Sequence, residues 1–368
     1  MKIKRFLKWS VVVIVLVLFG WFEVAYWSST NDCGRKAAPT NPMKAIVYCD
    51  YGLANLKLEE IEKPVPNDDQ LLVRVHAASV NPYDWHFVEG TPKIMRMGVG
   101  LRKPKDTRLG VDFAGTVEAV GKNVTQFKGG DEVFGGKGGA FAEYVCPRAD
   151  RAVAIKPPGV TFEQAASINI AGLTALQAVR DKGKIQAGQK VLINGASGGV
   201  GTFAVQIAKS YGADVTGVCS TRNIELVQSL GADHVIDYTK EDFTKSDQRY
   251  DVILDNVANH SLSEFRKVLN PKGKYVMIGG GGVNEQGFLL GKMLRPLKAM
   301  MLSKFVDQQM GMMMADMNHN DLALLADMMQ SGKLKPVIDR TYKLSEVPEA
   351  IAYVEQGHAR GKVIINVE

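Results

Sequence analysis

Two patterns of hydrophobic positions divide the body of the chain. Between residues 43 and 165, short apolar runs such as KAIVYCD, QLLVRVHAASV and GTVEAVG are bounded by Pro, Asn, Asp or Gly. Such bounded runs are typical of β-strands, and helical periodicity is almost absent between them. The pattern therefore predicts a compact, β-barrel-like domain over residues 43–165.

The pattern changes near Thr161, where an apolar helical stretch leads into strands that alternate with helices. The predicted strands are KVLIN, DVTGV, HVID, DVIL and KYVMI, at 190–194, 214–218, 234–237, 251–254 and 274–278. This alternation is typical of a doubly wound parallel sheet, which we predict over 166–305. Two later strands, KPVIDRTYKL and KVIINV, resemble those of the first domain, so residues 306–368 are expected to complete it.

The N-terminus carries an uncharged apolar run at 9–22, WSVVVIVLVLFGWF, which follows four basic residues and has aromatic residues at both ends. Extended to Trp27, the run approaches the ~20 residues that cross a bilayer as a helix. We predict a membrane anchor at 1–27 and a polar linker at 28–42. A cleaved signal peptide and a buried core helix are the alternatives. Cys33, in the linker, is interpreted as a solvated thiol.

Composition and charge exclude several classes of protein. A chain of 368 residues with 46% hydrophobic and 23% charged residues is an ordinary globular protein of about two domains. Six basic and two acidic residues in 1–42 supply +4 of the net charge of +6, so the body is nearly neutral and nucleic-acid binding is disfavoured. The four cysteines include no Cys-x-x-Cys pair, which excludes a cysteine-rich structural zinc site.

The motif with the clearest chemistry is NGASGGVGTFA at 194–204, which follows the predicted strand KVLIN and opens a helix. In this Gly-x-Gly-x-x-Ala pattern, Gly199 permits a tight turn, Gly201 allows the backbone to approach a pyrophosphate, and Ala204 lets the helix pack on the sheet. Free amides and the helix dipole then bind the diphosphate. We predict a dinucleotide site here, with a purely structural glycine turn as the alternative.

The next strand indicates which dinucleotide binds. An NAD site has an acidic residue at the end of this strand, about 20 positions further on, to hold the ribose hydroxyls. Here the strand ends with VCSTRN, so Ser220 and Arg222 stand where a carboxylate would be. An arginine can bind a 2′-phosphate that a carboxylate would repel, so NADPH is favoured over NADH. The alternative for Arg222 is a solvated residue at a helix start.

Several motifs together resemble a known family. They are ASVNPYDW (78–85), LGVDFAGTVEAVG (109–121), AFAEYV (140–145), GLTALQA (172–178), NGASGGVGTFAVQIAK (194–209), LGADHVIDY (230–238) and GHARGKVII (357–365). With these, the chain from about 43 to 368 resembles the zinc-independent, quinone oxidoreductase-like branch of the medium-chain dehydrogenase/reductase superfamily, also described as enoyl-reductase-type domains. The resemblance implies an α/β protein in which a β-rich, GroES-like catalytic domain joins a Rossmann domain and NADPH lies in the cleft between them.

The resemblance also implies roles for individual residues. The diphosphate cradle would consist of Ser197, Gly198, Gly199, Val200 and Gly201. The 2′-phosphate would be surrounded by Ser220, Arg222 and Tyr238, and Thr174 would lie beside the nicotinamide. Zinc-dependent relatives have a Cys where this chain has Asn81 and a His-Glu pair where it has Val111-Asp112, so no metal is expected.

Without a metal, the expected reaction is hydride transfer to an acceptor that its own conjugation activates, a quinone or an α,β-unsaturated carbonyl. Asn81 and Asp84 match the family's polar pair in the cleft, where Asn81 could donate to a carbonyl oxygen or hold a water. Asp84 would orient its neighbours, or simply cap the helix after Pro82. Tyr83 could relay a proton, although packing is the favoured role.

Two questions stay open at the level of sequence. Ten of the 15 methionines lie between Met293 and Met329, and we interpret them as flexible core filling, with a pocket wall or a homodimer contact as the alternative. The basic residues before the apolar run predict an exported body, whereas the need for NADPH predicts a cytosolic one, which we favour slightly.

Other functional hypotheses are a reductase or dehydrogenase of simple carbonyls or alcohols, and a membrane-tethered NADPH-binding redox sensor with little turnover.

Overall fold

Strands dominate the N-terminal part of the protein. The computed structural model describes residues 38–279 and 290–367, with only the backbone over 290–294, together with Glu23, Val24, Tyr26 and Cys33. The strands of this part are β1 Pro42–Val47, β2 Lys57–Glu62, β3 Leu71–Val80, β4 Asp112–Val120, β5 Glu132–Gly136, β6 Tyr144–Val145 and β7 Val153–Ile155. β1 and β2 pair with each other, while β3, β4, β5 and β7 are successive antiparallel neighbours in a larger sheet and β6 pairs with β3. The predicted β-rich region is confirmed.

A parallel sheet follows. Its strands are β8 Lys190–Asn194, β9 Asp214–Cys219, β10 His234–Asp237, β11 Tyr250–Asp255, β12 Leu269–Met277 and β13 Gln309–Met312, in the spatial order β10-β9-β8-β11-β12-β13. Successive side chains of a strand point to opposite faces. Val191 and Ile193 accordingly enter the core on one face of β8 and Leu192 enters the core on the other. Both faces are therefore covered, as in a doubly wound fold, and the predicted α/β class is confirmed.

Two strands near the C-terminus return to the first sheet. These are β14 Ile338–Lys343 and β15 Lys362–Asn366. β15 is parallel to β14 and antiparallel to β3, so it lies inside the larger mixed sheet. β13 pairs instead with β12, which places Gln309–Met312 in the parallel sheet although the prediction grouped 306–368 with the first domain. The domain boundaries themselves stay predictions.

Helices cover the sheets and close their ends. They are α1 Pro82–Glu89, α2 Arg96–Val99, α3 Phe162–Ala166, α4 Asn169–Gln177, α5 Gly199–Ser210, α6 Ile224–Ser229, α7 Leu262–Lys267, α8 Leu290–Leu302, α9 His319–Gln330 and α10 Val347–Glu355. Local sequence explains where α3 begins, because the Thr161 hydroxyl accepts from the Gln164 amide and the Gln164 side chain accepts from the Thr161 amide. α5 packs Phe203, Ala204 and Ile207 into the core beneath the sheet.

The methionine-rich segment serves the core only in part. Some of its methionines are buried, namely Met310, Met313, Met328 and Met329. Others are exposed, namely Met300, Met301, Met312 and Met314. The interpretation as core filling therefore holds for the first group and not for the second.

The predicted membrane localisation is corrected by the structure. A helix that crosses a bilayer needs about 20 mostly apolar residues. In the ranges that the structure describes, no helix combines that length with that apolarity, and α8, of 13 residues, contains Lys292, Arg295 and Lys298. The predicted anchor at 1–27 lies outside the described residues except for Glu23, Val24 and Tyr26.

Cys33 is not the solvated thiol that the sequence suggested. It forms a disulfide with Cys49, with 5.8 Å between the two Cα atoms. The disulfide connects the linker to the segment that directly follows β1. Sequence spacing could not indicate this bond, because the two cysteines belong to no recognisable motif. Cys146 and Cys219 are buried free thiols.

The disulfide predicts a stability effect. Cross-linking positions 16 residues apart removes loop-closure entropy from the unfolded chain, worth about 3 kcal/mol for a loop of this size. The Cys33→Ser/Cys49→Ser protein should therefore unfold at lower urea concentration than the parent. Urea titrations with and without reductant measure the effect. Reductant should lower the parent's midpoint and leave that of the double variant unchanged; a parent insensitive to complete reduction would contradict the assignment.

Candidate active site

The glycine-rich segment forms a turn between β8 and α5. Gly195 follows β8 with φ of 79°, which favours glycine, and α5 begins at Gly199. A Cβ on Gly201 would overlap the carbonyl oxygen of Gly195, so the turn can close only with glycine at this position. From the sequence, Gly201 is predicted to let the backbone approach a pyrophosphate. The structure shows that the backbone of the turn itself already requires glycine at this position. Gly198 precedes α5 and Val200 is the second residue of α5, so these two predicted cradle residues lie where the turn enters the helix.

An asparagine that the sequence analysis did not select joins this turn to the next strand. The Asn223 amide nitrogen donates to the Ser197 hydroxyl at 3.0 Å and to the Ser220 hydroxyl at 3.2 Å. Asn223 is buried, and its Oδ1 atom has no hydrogen-bond partner among the described residues. Asn223 thus fixes the cradle residue Ser197 relative to the carboxyl end of β9. No motif marks it, since an asparagine at a helix start is ordinary.

The three residues predicted around the 2′-phosphate come together at the carboxyl ends of β9 and β10. The Tyr238 amide donates to the Cys219 carbonyl at 3.0 Å, which places Tyr238 beside Ser220. Arg222 is exposed, and one Nη donates to the His358 carbonyl at 2.7 Å. The turn before β15 therefore lies next to this end of the sheet, a proximity that the sequence did not reveal.

The nearest carboxylate at these strand ends is held by hydroxyl groups. Asp237, the last residue of β10, accepts from the side chains of Thr221 and Thr239 and lies 3.5 Å from Lys240. The hydrogen bond from Thr221 is the main reason that the pKa of Asp237 is lowered to about 2. Its oxygens are thus occupied within the protein.

A second polar cluster lies where β15, β3 and β4 meet. Register pairs Ile364 with Ser79, and Ser79 with Asp112. Because side chains two residues apart share a face of a strand, Lys362 and Asn81 lie on the same face as Ser79 and Asp112. Each of the four is at most 3% exposed.

Direct contacts connect this cluster. The Asp112 carboxylate accepts from the Ser79 hydroxyl, the Asn81 amide nitrogen and the Asn169 amide nitrogen, each at 2.9 Å. The Lys362 ammonium donates to Asn81 Oδ1 at 2.6 Å and lies 3.4 Å from an Asp112 oxygen. Sequence analysis selected Asn81 but missed Lys362, which is 281 positions away along the chain.

Asp84 caps α1. Its carboxylate accepts from the Asn81 amide at 2.8 Å and from the Gly110 amide at 3.2 Å, and the residue is fully buried. Burial raises the pKa of Asp84 to about 7; the Asn81 amide and the Lys362 charge lower it, and the nearby Asp112 raises it further. The structure therefore shows the helix cap that was one of the two predicted roles of Asp84, and its orienting role stays a prediction.

The two remaining predicted residues, Tyr83 and Thr174, both lie on helices. Tyr83, in the first turn of α1, stacks on Phe87 with ring centroids 4.0 Å apart, yet it is 44% exposed. Burial of the rest of the ring raises the pKa of its phenol, which keeps the hydroxyl protonated. Thr174 lies in the middle of α4 and is half-buried.

The cluster and the glycine-rich turn are in contact through β15. The Gly361 amide donates to the Ser197 carbonyl at 2.9 Å, and Gly361 bridges Gly198 in a parallel arrangement. A Cβ on Gly199 would lie 3.2 Å from Lys362 Cδ. The predicted diphosphate cradle therefore lies directly against the Lys362 side chain. The same side chain is hydrogen-bonded to Asn81 of the polar cluster.

Comparison with known proteins identifies matching families over both regions. The family described as alcohol dehydrogenase GroES-like domain matches residues 67–157, and the family described as zinc-binding dehydrogenase matches residues 230–365.

Individual relatives match most of the chain. The mitochondrial NAD(P)H oxidoreductase RTN4IP1 of Mus musculus is 37% identical, over 90% of this chain and 91% of its own length. The chloroplastic NADPH-dependent alkenal/one oxidoreductase of Arabidopsis thaliana is 35% identical, over 92% of this chain and 83% of its own. The solved structure of the quinone oxidoreductase from Coxiella burnetii is 30% identical, with a TM-score of 0.77 over 89% of this chain and 100% of that protein.

The buried Asp84 carboxyl predicts a pH dependence of stability. Since its pKa rises from 3.8 in the unfolded chain to about 7 in the folded protein, the folded state holds this proton more tightly. The stability that it contributes is complete below about pH 4 and is lost as the pH rises through about 7. Asp84→Asn cannot ionise, so its melting temperature relative to the parent should increase between about pH 5 and pH 8.5.

Thermal melts across that range measure the difference, and the exposed Asp327→Asn on α9 serves as control. The control should follow the parent at every pH. If Asp84→Asn also runs parallel to the parent, Asp84 does not titrate in this range.

Proposed function

The chain belongs to the medium-chain dehydrogenase/reductase superfamily, and on that premise we propose that it is an NADPH-dependent reductase of quinones or α,β-unsaturated carbonyls that works without catalytic zinc. Membership makes it an oxidoreductase with a nicotinamide cofactor. The names of its relatives, an alkenal/one oxidoreductase and a quinone oxidoreductase among them, support the acceptor class.

The observation that carries the proposal is the contact between the glycine-rich turn and the polar cluster. Gly361 and Lys362 are adjacent in the chain, and one pairs with the turn while the other binds Asn81. A dinucleotide whose diphosphate lies at the N-terminus of α5 would therefore end close to Asn81. That arrangement suits transfer between a bound nicotinamide and an acceptor in the same cleft.

The side chains of the cluster do not suit zinc. Zinc in enzymes is bound by thiolate, imidazole and carboxylate groups, usually three of them plus a water. At the corresponding place this chain offers one carboxylate, Asp112, and one amide, Asn81, and both lie within 3.4 Å of the Lys362 ammonium. The Lys362 ammonium already occupies the position where a metal would need to bind, so the proposed reaction uses no metal.

The residues of the chain would then bind and orient the reactants and supply a proton. When bound, NADPH supplies the hydride. Both amide hydrogens of Asn81 are engaged, by Asp112 at 2.9 Å and by the Ser79 carbonyl at 3.3 Å, so Asn81 is better suited to hold a water through Oδ1 than to donate to the acceptor. Tyr83 carries a phenol that is partly exposed and stays protonated, which suits a proton donor to the developing enolate or quinol oxygen.

The choice of NADPH rests on Arg222. Among the described residues, its hydrogen bond to the His358 carbonyl uses one of five guanidinium hydrogens, so the other four can bind a phosphate. The Ser220 hydroxyl and the phenol of Tyr238, a residue that is 55% exposed, lie at the same strand ends. Asp237, a carboxylate at these strand ends that could favour NADH, already accepts from two threonine hydroxyls.

Acceptor class is tested by NADPH oxidation with the purified full chain against quinones, enones, aldehydes and alcohols, with and without a zinc chelator. Quinones or enones should be reduced, and the chelator should have no effect. Gly201→Ala should abolish activity because its Cβ overlaps Gly195, whereas Gly129→Ala, where a Cβ has room, should not. Turnover of simple aldehydes alone, lost with chelator and restored by zinc, would refute the proposal.

Cofactor choice is tested by titrating the parent and Arg222→Ala with NADPH and NADH. A charge-assisted hydrogen bond contributes roughly 1.5–3 kcal/mol, so NADPH should bind about ten- to a hundredfold more weakly. NADH has no 2′-phosphate, and its affinity should hardly change. Arg148→Ala, an exposed arginine paired with Asp150, is the matched control and should alter neither affinity. Equal weakening of both nucleotides by Arg222→Ala would show a structural role instead.

A further inference from the structure

Lys362 is a buried charge that the proposed reaction does not use. It is 3% exposed, and its ammonium faces Asn81 Oδ1 at 2.6 Å, the Val80 carbonyl at 3.3 Å and Asp112 at 3.4 Å. An ammonium has three hydrogens to donate, and three acceptors surround this one. None is left for a ligand, so Lys362 acts through its neighbours.

The immediate consequence is a fixed orientation of the Asn81 amide. An ammonium can only donate and an ionised carboxylate can only accept. With Lys362 on one side and Asp112 on the other, the Asn81 oxygen must face the lysine and the nitrogen must face the aspartate. A reversed amide would point its N–H groups at the ammonium and its oxygen at the carboxylate. Lys362 and Asp112 together therefore permit only one of the two amide orientations.

The backbone of Gly361, next to Lys362, contacts the glycine-rich turn. Gly361 has φ of 89° and donates to the Ser197 carbonyl of the glycine-rich turn at 2.9 Å. A Cβ at Gly361 would overlap the Val337 carbonyl, so this close approach of the two backbones requires glycine. The Lys362 stem also lies beside Gly199, the first residue of α5. The turn that would hold the diphosphate and the amide in the cleft are thus linked through two consecutive residues.

We propose that Lys362 is a positioning residue that fixes the Asn81 amide in its working orientation and ties it to the cofactor-binding turn. This inference rests on the proposed function, since it assigns Lys362 to the same site. It differs from a purely structural role in one respect: the effect of Lys362 on turnover must pass through Asn81.

A double-variant cycle tests that dependence in the full chain, with Lys362→Met, Asn81→Ala and the two combined. Each single variant should lower kcat about tenfold, equivalent to about 1.4 kcal/mol in the barrier. If Lys362 acts through Asn81, the combined variant should be no slower than the slower single variant. Lys362→Met should also change the NADPH dissociation constant, measured by nucleotide fluorescence, far less than kcat.

The matched control is Lys156→Met. Lys156 is also a buried lysine, 8% exposed, with its ammonium bonded to the Val160 carbonyl at 2.6 Å and to Glu132 at 2.9 Å. Its loss should lower the melting temperature as much as the loss of Lys362 and leave kcat near that of the parent. Independent, multiplicative effects of Lys362→Met and Asn81→Ala on kcat, or a Lys362→Met enzyme with parental kcat, would overturn the proposal.

Crystal structures of the parent and Lys362→Met separate this inference from the proposed function. Without the ammonium, Asn81 Oδ1 loses its 2.6 Å partner while Asp112 still accepts from the nitrogen, so the amide should tilt away from its parental position or become disordered. If the amide moves while the parent reduces neither quinones nor enones, the positioning role stands and the proposed acceptors are wrong. An unmoved amide overturns the positioning role. Should Lys362→Met fail to fold, Lys362→Met/Asp112→Asn is compared with Asp112→Asn by the same two measurements.

Discussion

The relative positions of the strands around the polar cluster depend on how one buried carboxylate, that of Asp112, is hydrogen-bonded and paired with a positive charge. Asp112 is fully buried and accepts from Ser79, Asn81 and Asn169, and it lies 3.4 Å from the Lys362 ammonium. An unpaired buried charge is too costly to persist, and removing one partner of such a pair typically costs about 3–5 kcal/mol. The strands β3, β4 and β15 and helix α4 must therefore keep their relative positions for this carboxylate to stay satisfied.

That requirement also explains how several polar side chains can be buried together at this place. Asp112 and Lys362 each make further hydrogen bonds besides the contact between them, so the cluster holds side chains in place instead of offering charges to solvent. The same region touches the glycine-rich turn through Gly361. The turn and the polar cluster therefore belong to one connected structure, as the proposed reaction between a cofactor and an acceptor demands.

Outside the cleft, the structure changes two expectations derived from the sequence. Cys33 pairs with Cys49, so the linker is covalently fixed to the β-rich region. Among the residues that the structure describes, no helix could cross a bilayer, because apolarity and length do not coincide in any of them. The disulfide could not be predicted, because the partner of a cysteine does not follow from local composition.

Local rules determined the elements that the sequence predicted well. The turn before α5 follows from Gly195 and Gly201, and the alternating strands of the parallel sheet follow from their apolar runs. Asn81 and Asp84 are three residues apart, so their contact was within reach of a helix-start argument. The contact of Lys362 with Asn81 could not be predicted in this way, because only the register of β15 on β3 brings the two residues together across 281 positions of sequence. Pairing between distant strands is decided by the packing of the whole fold, and a single sequence contains no local signal for it.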